Sequence, residues 1–426
     1  MREMKDSGIS WVGEIPKEWT IMPLYCFYSE RRNKNIFGAE NNLLSLSYGK
    51  VIRKDINTSE GLLPSNYNGY NIVEEGDIII RPTDLQNDKR SLRTGLSKER
   101  GIITSAYIAL KPKNGINSRF YHYLLHTYDI LKVFYNMGNG VRQGLNYDEF
   151  AKLMVYSPSD TEQQRIAEFL DRECGKIDGL KENIQSQIDT LEQYKRSVIT
   201  EAVTHGLNPS APMKDSGVPW VGEIPQNRVK AKIKNVASMI SSGTTPLSAV
   251  SEFFENGTIN WIQSGDIYGK KYINDVSMKI TELALASSSS LKIVRKPFIV
   301  MAMYGGSVGN TAISLIDACT NQACCCIKPN DKTNFGFLYY WLLFCREDFL
   351  IKAEGGGQPN ISQNKIRNEY IFIPSLDEQQ EIADYLDNKC AEIERIIADK
   401  KSQIETLDGY KKSLIYEYVT GKKEVV

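Results

Sequence analysis

A thirteen-residue sequence near the start of the chain occurs again in its middle. MKDSGISWVGEIP at 4–16 and MKDSGVPWVGEIP at 213–225 are identical at eleven of thirteen positions. The separation of 209 residues is far longer than the roughly 20–50 residues of a solenoid repeat. The pattern therefore indicates that half of a 426-residue protein was duplicated, and such a length suggests two to four domains.

A second, longer repeat predicts two matching helices. Residues 162–204 match residues 378–420 without a gap at 21 of 43 positions, and Pro158 or Pro374 precedes each copy, as is typical of a helix start. Apolar residues recur every seven positions, which predicts a coiled coil, and Lys400 interrupts the second stripe. The predicted seam comprises Leu170, Ile177, Ile184, Leu191 and Val198 in the first copy, and Leu386, Ile393, Leu407 and Leu414 in the second.

We expect the two helices to pair with each other in an antiparallel manner. Ile166, Leu180, Ile188 and Tyr194 are predicted to fill the alternate positions of the seam. The alternative is a long helix in the core of one globular domain. A helix of about 44 residues is about four times the usual length, which disfavours that alternative.

Residues 21–157 and 226–373 do not resemble each other over most of their length. Both contain short β-type runs separated by glycine, then one helical stretch, then a Gly-rich loop that leads into a helix. We therefore expect an α+β protein with two β-rich globular domains, two long helices and internal pseudo-twofold symmetry. The predicted segments are a first domain with its repeat at 1–157, helix 1 at 158–204, a linker with the second repeat at 205–225, a second domain at 226–373, helix 2 at 374–420 and a tail at 421–426.

The formal net charge is zero, but the charge is divided unevenly along the chain. Residues 21–157 hold 18 Lys and Arg against 13 Asp and Glu, and residues 226–373 hold 16 against 11. Both globular segments are therefore at +5, whereas the helical segments are acidic. Two mildly basic domains fit a protein that contacts a polyanion at two places.

Several classes of function are disfavoured by missing motifs. The chain has no G-x4-G-K-[ST] loop for ATP, no dinucleotide or methyl-donor fingerprint at the start of a βαβ unit, and no C-x2-C pair for zinc. We expect the eight cysteines to be reduced and mostly buried, and the His122 and His126 pair to serve packing or the surface. There is no run of about 18 apolar residues and no signal-peptide pattern, so we expect a cytoplasmic, non-catalytic chain.

The repeated motifs resemble those of the specificity subunits of type I restriction–modification systems. The resemblance is carried by SGISWVGEIPKEW, by the two P-x3-EQQ-x-I-A helices and by the two-copy layout, and it covers nearly the whole chain. INWIQSGDI, YGGSVGNTAIS, TNQACCCIKP and GGGQPNIS in the second half resemble target recognition domains. In the first half, LLSLSYGKVIRKDINTSEGLLPSNYNGY replaces the W-I-x-x-G-D-I type segment.

The resemblance implies a non-catalytic subunit of a complex that is both a type I site-specific deoxyribonuclease and a DNA adenine methyltransferase. Each globular domain would read one half of a bipartite double-stranded DNA target, and the helices would set the spacer. Two methyltransferase (M) subunits and two restriction/translocase (R) subunits would dock, and S-adenosylmethionine, ATP and Mg²⁺ would belong to those partners. Two alternatives remain: a related restriction system with a fused or different partner, and a coiled-coil adaptor that binds no nucleic acid.

Candidate DNA contacts are the polar and basic residues of loops, because base edges and phosphates are bound by such side chains. In the first domain they are Arg81, Lys89, Arg90, Arg93, Arg142, Gln143, Asn146 and Tyr147. In the second domain they are Gln263, Ser264, Asp266, Tyr268, Lys270, Lys271, Tyr304, Ser307, Asn310, Gln358, Asn360 and Ser362. Ser362 could instead be a helix N-cap.

Overall fold

The computed structural model describes residues 2–57, 66–83, 85, 92–137, 144–355 and 357–425. The chain divides into two compact units. Unit 1 contains Met1–Gln185 and Lys401–Val426, and unit 2 contains Ser186–Lys400. Each unit thus holds one globular domain together with a part of each long helix.

Unit 1 contains twelve described strands, two short helices and parts of the two long ones. The strands are β1 (Met4–Asp6), β2 (Glu14–Pro16), β3 (Thr20–Pro23), β4 (Tyr28–Glu30), β5 (Leu44–Ser47), β6 (Lys50–Arg53), β7 (Asn71–Val73), β8 (Ile78–Ile80), β9 (Thr94–Leu96), β10 (Gly101–Ile103), β11 (Ile108–Pro112) and β12 (Met154–Ser157). The helices are α1 (Ser118–Ile130), α2 (Tyr147–Phe150) and the first long helix, α3 (Asp160–His205).

Unit 2 also contains twelve described strands, together with six short helices. The strands are β13 (Met213–Asp215), β14 (Glu223–Pro225), β15 (Val229–Lys232), β16 (Ala237–Ser242), β17 (Ile259–Ile262), β18 (Tyr272–Ile273), β19 (Lys279–Ile280), β20 (Phe298–Ala302), β21 (Thr311–Ser314), β22 (Cys319–Thr320), β23 (Cys324–Pro329) and β24 (Tyr370–Ile373). The helices are α4 (Ile233–Val236), α5 (Ser264–Ile267), α6 (Glu282–Ala286), α7 (Phe335–Phe344), α8 (Arg346–Lys352), α9 (Gln363–Asn368) and the second long helix, α10 (Leu376–Val419).

The two globular domains share one sheet topology although their sequences differ. Unit 1 has the strand order β4-β11-β8-β9, and unit 2 has β16-β23-β20-β21 with β18 added in parallel at the edge. The four common strands are antiparallel in both units. The mixed, β-rich α+β architecture predicted from the sequence is therefore confirmed. The strand order of the sheet is more similar between the two halves than the amino-acid sequence of its strands.

The thirteen-residue repeat forms the same hairpin in each unit. β1 pairs with β2 from Met4↔Pro16, and β13 pairs with β14 from Met213↔Pro225. Gly8 and Gly217 both have positive φ angles, +66° and +65°, a conformation that glycine adopts without steric cost. The shape of each hairpin therefore depends on this glycine conformation and on the burial of Ile15 or Ile224.

The long helices pair in an antiparallel manner within each unit. In unit 1, Lys411 binds Asp178 at 2.6 Å and Lys181 binds Asp408. Residue numbers therefore increase along α3 as they decrease along α10, which is the antiparallel arrangement. In unit 2, Lys195 binds Glu394 and Lys400 donates to Gln187. The seam residue that interrupts the second apolar stripe thus takes a polar partner on the opposite helix.

The predicted seam is buried toward the ends of the helices and half-buried in the middle. Its buried members are Leu170, Ile177, Val198, Leu386, Ile393 and Leu414, and its half-buried members are Ile184, Leu191 and Leu407. The alternate positions are correct for Ile166 and Ile188, but Leu180 and Tyr194 are 55% and 49% exposed. Cys174 and its equivalent Cys390 are buried instead, each in the hydrophobic core of its unit.

The cysteines are all free thiols, and those of β23 lie in the core of the sheet. Burial raises the pKa of the Cys326 thiol to about 12, so it stays protonated near neutral pH. The described residues contain no group of three or more His, Cys, Asp or Glu arranged to hold a metal ion. In the described part of the chain, every helix is too short or too polar to cross a lipid bilayer.

Candidate nucleic-acid interface

In unit 2, several loops meet at the edge where β17, β20 and β22 end and β23 begins. Asn321 N–H donates to the carbonyl of Ile262 at 3.1 Å, and Met303 N–H donates to that of Ala323 at 2.8 Å. Ile361 N–H donates to the Met303 carbonyl at 2.9 Å, and Tyr304 forms a bridge with Asn360. We call this set of loops the unit 2 edge.

The unit 2 edge collects several of the predicted contact residues. Gln263 directly follows β17, and Tyr304 follows Met303, the first residue after β20. Gln358 and Asn360 are exposed beside Tyr304, whose side chain is 38% exposed. The edge therefore presents amide and phenol groups, which can hydrogen-bond to base edges and phosphates.

Other predicted residues of unit 2 have structural partners. Asp266 is buried and accepts hydrogen bonds from the backbone N–H groups of Gln263 and Ser277, both at 2.9 Å. Asn310 accepts from Arg346, and Ser307 donates to the Tyr304 carbonyl. Ser362 is the N-cap of α9, as the alternative reading of the sequence anticipated. These side chains shape the loops.

Lys271 lies away from the unit 2 edge. Its carbonyl accepts from Ile313 N–H along β21, and its ammonium binds Asp387 of α10 at 2.6 Å. Burial lowers the pKa of Lys271 more than any single neighbour raises it, but the hydrogen bond and charge of Asp387 together with Tyr272 raise the pKa overall, so the charge is kept. Ser264 begins α5, and Tyr268 and Lys270 follow that helix as exposed residues between Gln263 and Lys271.

Unit 1 has an equivalent edge built by equivalent hydrogen bonds. Leu145 N–H donates to the Pro82 carbonyl at 3.0 Å, which corresponds to the bond between Ile361 and Met303 in unit 2. Tyr107 N–H donates to the Thr104 carbonyl in the turn before β11, as Cys324 N–H donates to the Asn321 carbonyl before β23. We call this set of loops the unit 1 edge.

The predicted residues of unit 1 separate into different environments. Arg81 is half-buried at the unit 1 edge, where β8 ends. Arg93 is fully buried and donates to Tyr135, so it is a core residue rather than part of a solvated basic loop. Asn146 caps α2 with a capping box, and Tyr147 donates to the Tyr28 carbonyl at 3.1 Å. Lys89, Arg90, Arg142 and Gln143 lie outside the described residues.

The edges also contain polar residues that the sequence analysis did not select. Thr245 donates to Gln322 at 2.5 Å, and Gln322 and Asn321 lie in the turn before β23. Thr104 and Ser105 occupy the same turn in unit 1. The sequence does indicate these turns, because TSAYIALKP and TNQACCCIKP align with each other. Finding them requires an alignment of the two diverged globular segments.

The EQQ motifs fix each globular domain to its long helix. Gln163 and Gln379 are buried, and each donates to the carbonyl of the proline five residues earlier at 3.0 Å. The next glutamine, Gln164 or Gln380, accepts at 2.7 Å from Asn117 or Asn334, which caps the helix of the adjacent domain. Repetition of EQQ therefore repeats one domain–helix junction.

A cleft of about 1120 Å³ lies in unit 1 at the end of the sheet opposite the unit 1 edge. It is lined by Leu96, Ser97, α1 and parts of both long helices. His122 and His126 face it, and burial lowers their pKa values to about 3 and about 4, so both are neutral near pH 7. The sequence prediction of packing or surface roles is compatible with this position.

Comparison with known proteins places these observations in one family. The profile of the type I restriction modification DNA specificity domain matches residues 32–190 and 225–406. The match covers well over half of the chain and occurs twice, once around each edge. The chain therefore belongs to the family of type I restriction–modification DNA specificity proteins.

Individual relatives support this assignment. The chain is 26% identical over 368 residues to the MjaVIII type I restriction enzyme specificity subunit of Methanocaldococcus jannaschii, covering 83% of this chain and 80% of the relative. It is 23% identical to the chain described as the MjaX specificity subunit of the same organism, covering 97% and 96%. A chain in a solved structure of a type I R-M system has the same fold, with a TM-score of 0.68, 14% identity and coverage of 96% and 99%.

Specificity subunits of this family bind DNA and act in type I complexes, in which partner subunits carry out catalysis. The chain is therefore a non-catalytic DNA-recognition protein of a restriction–modification system. The predictions of family, fold class and lack of catalysis are confirmed by this assignment.

Proposed function

We propose that the unit 1 edge and the unit 2 edge each read one half of an asymmetric, bipartite DNA target. The observation that carries the proposal is that one sheet and one set of edge hydrogen bonds present different side chains in the two units. A constant scaffold with variable loops lets each half-site be specified independently. Sequence readout requires side chains that hydrogen-bond to base edges, and the unit 2 edge supplies Gln263, Gln322 and Asn360.

The long helices set the distance between the two half-sites in this proposal. Each helix contributes to both units, and its ion pairs fix the register with the other helix in each unit. The duplicated framework then offers two equivalent docking surfaces. Tyr194 and Tyr410 occupy equivalent positions of the repeat, and both are about half exposed (49% and 58%).

Two equivalent surfaces favour two copies of one partner, because equivalent surfaces bind equivalent subunits. We assign these positions to two methyltransferase subunits, with two restriction/translocase subunits completing the complex. S-adenosylmethionine, ATP and Mg²⁺ would be bound by those subunits. The predicted domain boundaries at 157/158, 204/205, 225/226, 373/374 and 420/421 remain part of this proposal.

The proposal is tested with the complex of this chain and its methyltransferase partner on duplexes that contain the methylated sequence. We expect an affinity that falls steeply with salt, because phosphate contacts release counterions. The double substitution Gln322→Ala/Asn360→Ala should weaken cognate binding about 10- to 100-fold by removing base contacts. Ser289→Ala/Ser290→Ala in the loop after α6 is the matched control and should bind as the wild type does.

An assembled complex without salt-sensitive DNA affinity would contradict the proposal and favour the adaptor alternative. Normal cognate binding by Gln322→Ala/Asn360→Ala would leave DNA binding intact and remove the unit 2 edge from the recognition surface.

A further inference from the structure

The loop after β4 presents two adjacent apolar side chains to solvent. Ile36 is 61% exposed and Phe37 is 93% exposed. Single exposed apolar residues are common on protein surfaces. Exposing a phenylalanine almost fully to water next to an exposed isoleucine costs free energy. If the loop cannot fold over to bury these side chains, their exposure indicates a function.

The loop is fixed in place. Asn35 is buried, its amide donates to the Glu40 carbonyl at 3.0 Å, and its side-chain oxygen accepts from Glu40 N–H at 3.0 Å. Gly38 N–H closes a turn on the Asn35 carbonyl at 3.1 Å, with a φ of +62° that favours glycine. Phe37 is therefore held outward on a constrained tip.

The tip adjoins the unit 1 edge. Asn35 N–H donates to the Tyr70 carbonyl at 3.0 Å, and the next residue, Asn71, pairs with Ile103, which directly precedes Thr104 of the edge turn. Two basic residues precede the tip in the sequence, and both are exposed: the side chain of Arg32 is 75% exposed, and Lys34 is exposed as well. The apolar tip thus stands beside groups suited to phosphates and bases.

Unit 2 has an apolar residue in the corresponding place. The loop after β16, which corresponds to β4 in the sheet, carries Leu247 with 71% of its side chain exposed. This loop is held to the unit 2 edge by the Gly243 N–H bond to Thr320 at 3.1 Å and by the Thr245 bond to Gln322. Two diverged loops therefore place an apolar side chain beside the same edge.

We propose that Phe37, supported by Ile36, is a wedge that inserts between stacked base pairs at the half-site read by unit 1, and that Leu247 is its counterpart in unit 2. This inference rests on the proposed DNA reading by the two edges. Apolar wedges unstack a base step and kink the duplex, and the cost depends on the step. Phe37 would then favour flexible steps without any hydrogen bond to a base.

The test uses the complex of this chain with its methyltransferase partner and cognate duplexes in which 2-aminopurine replaces one base at a time. We expect the wild-type complex to raise the fluorescence at one step of the first half-site that is distinct from the base flipped out by the methyltransferase. Phe37→Ala should return that signal to the free-duplex level and weaken binding about 3- to 30-fold. Phe37→Leu should retain part of the signal. Tyr25→Ala, an exposed aromatic residue near the opposite end of β4, is the control and should keep it.

Three results would overturn the wedge. Tight, specific binding by the wild-type complex with no fluorescent step other than the flipped base would refute it while the proposed function stands. Loss of the methyltransferase subunit from the Phe37→Ala complex on size-exclusion chromatography would show that Phe37 anchors a protein instead. Absence of DNA binding by the wild-type complex would refute both the proposed function and the wedge. A Leu247→Ala change that abolishes only a signal in the second half-site would support the wedge.

Discussion

At the scale of single residues, the repeated EQQ motif has different energetic roles in the two units. Gln379 donates to the carbonyls of Pro374 and Lys332 and accepts from Asn334 N–H at 2.7 Å. Gln163 donates to the Pro158 carbonyl and to Ser157, whereas its side-chain oxygen has no partner among the described residues. Equivalent glutamines therefore make unequal numbers of side-chain hydrogen bonds, three for Gln379 and two for Gln163.

This difference predicts unequal losses of stability. Gln379→Leu removes three hydrogen bonds to backbone groups, one buried and two partly buried, and should lower the free energy of unfolding by about 3 kcal/mol. Gln163→Leu should cost about 1–2 kcal/mol. Urea unfolding of the full chain, with hydrogen exchange of α7 and α1 to report on units 2 and 1, measures the two changes.

Gln380→Ala is the matched control, because Gln380 is exposed and should cost less than about 1 kcal/mol. Equal destabilisation by Gln163→Leu and Gln379→Leu would show that the additional bonds of Gln379 contribute nothing.

At the scale of elements, the helices were more predictable than the sheets. The heptad stripe predicted α3 and α10 within a few residues because one period repeats over more than forty residues. The common sheet order was not predictable, since pairing between β4 and β11 or β16 and β23 joins residues far apart in the chain. Burial of Arg93 also depends on such distant contacts, with Tyr135.

The helices yield a prediction about target spacing. Four residues added near the start of α3 lengthen it by about 6 Å and rotate its apolar stripe by about 40°, a change that a coiled coil can absorb as a stutter. We expect the spacer between half-sites to grow by roughly one or two base pairs, since DNA rises about 3.4 Å per base pair, with both half-sites unchanged. Methylome mapping of cells with this variant measures the spacer.

An active insertion variant with an unchanged spacer would show that the helices connect the domains without setting a distance. An alanine substitution at exposed Lys401, which leaves the helix length unchanged, is the control and should retain the parental spacer.

At the scale of the whole molecule, the two halves of the chain share the framework at their ends and differ in the globular segments between them. The hairpins, the EQQ junctions and the helix ion pairs occur in both units, whereas the edge residues differ. The family could be assigned from the sequence because the conserved parts carry the motifs. The polar residues that share an edge could be grouped only in part, since loops such as 320–323 become neighbours of Gln263 only in the folded protein.

The most direct test of the central claim is an exchange of residues 226–373 for the equivalent segment of a relative with a different target. The methylome of cells that express the hybrid with its methyltransferase partner is then compared with that of the parent. Because unit 2 contains the whole exchanged segment and its edge, we predict that one half-site changes to that of the relative while the other half-site and the spacer remain. A methylome in which both half-sites change, or in which neither changes, would contradict the assignment of one half-site to each unit.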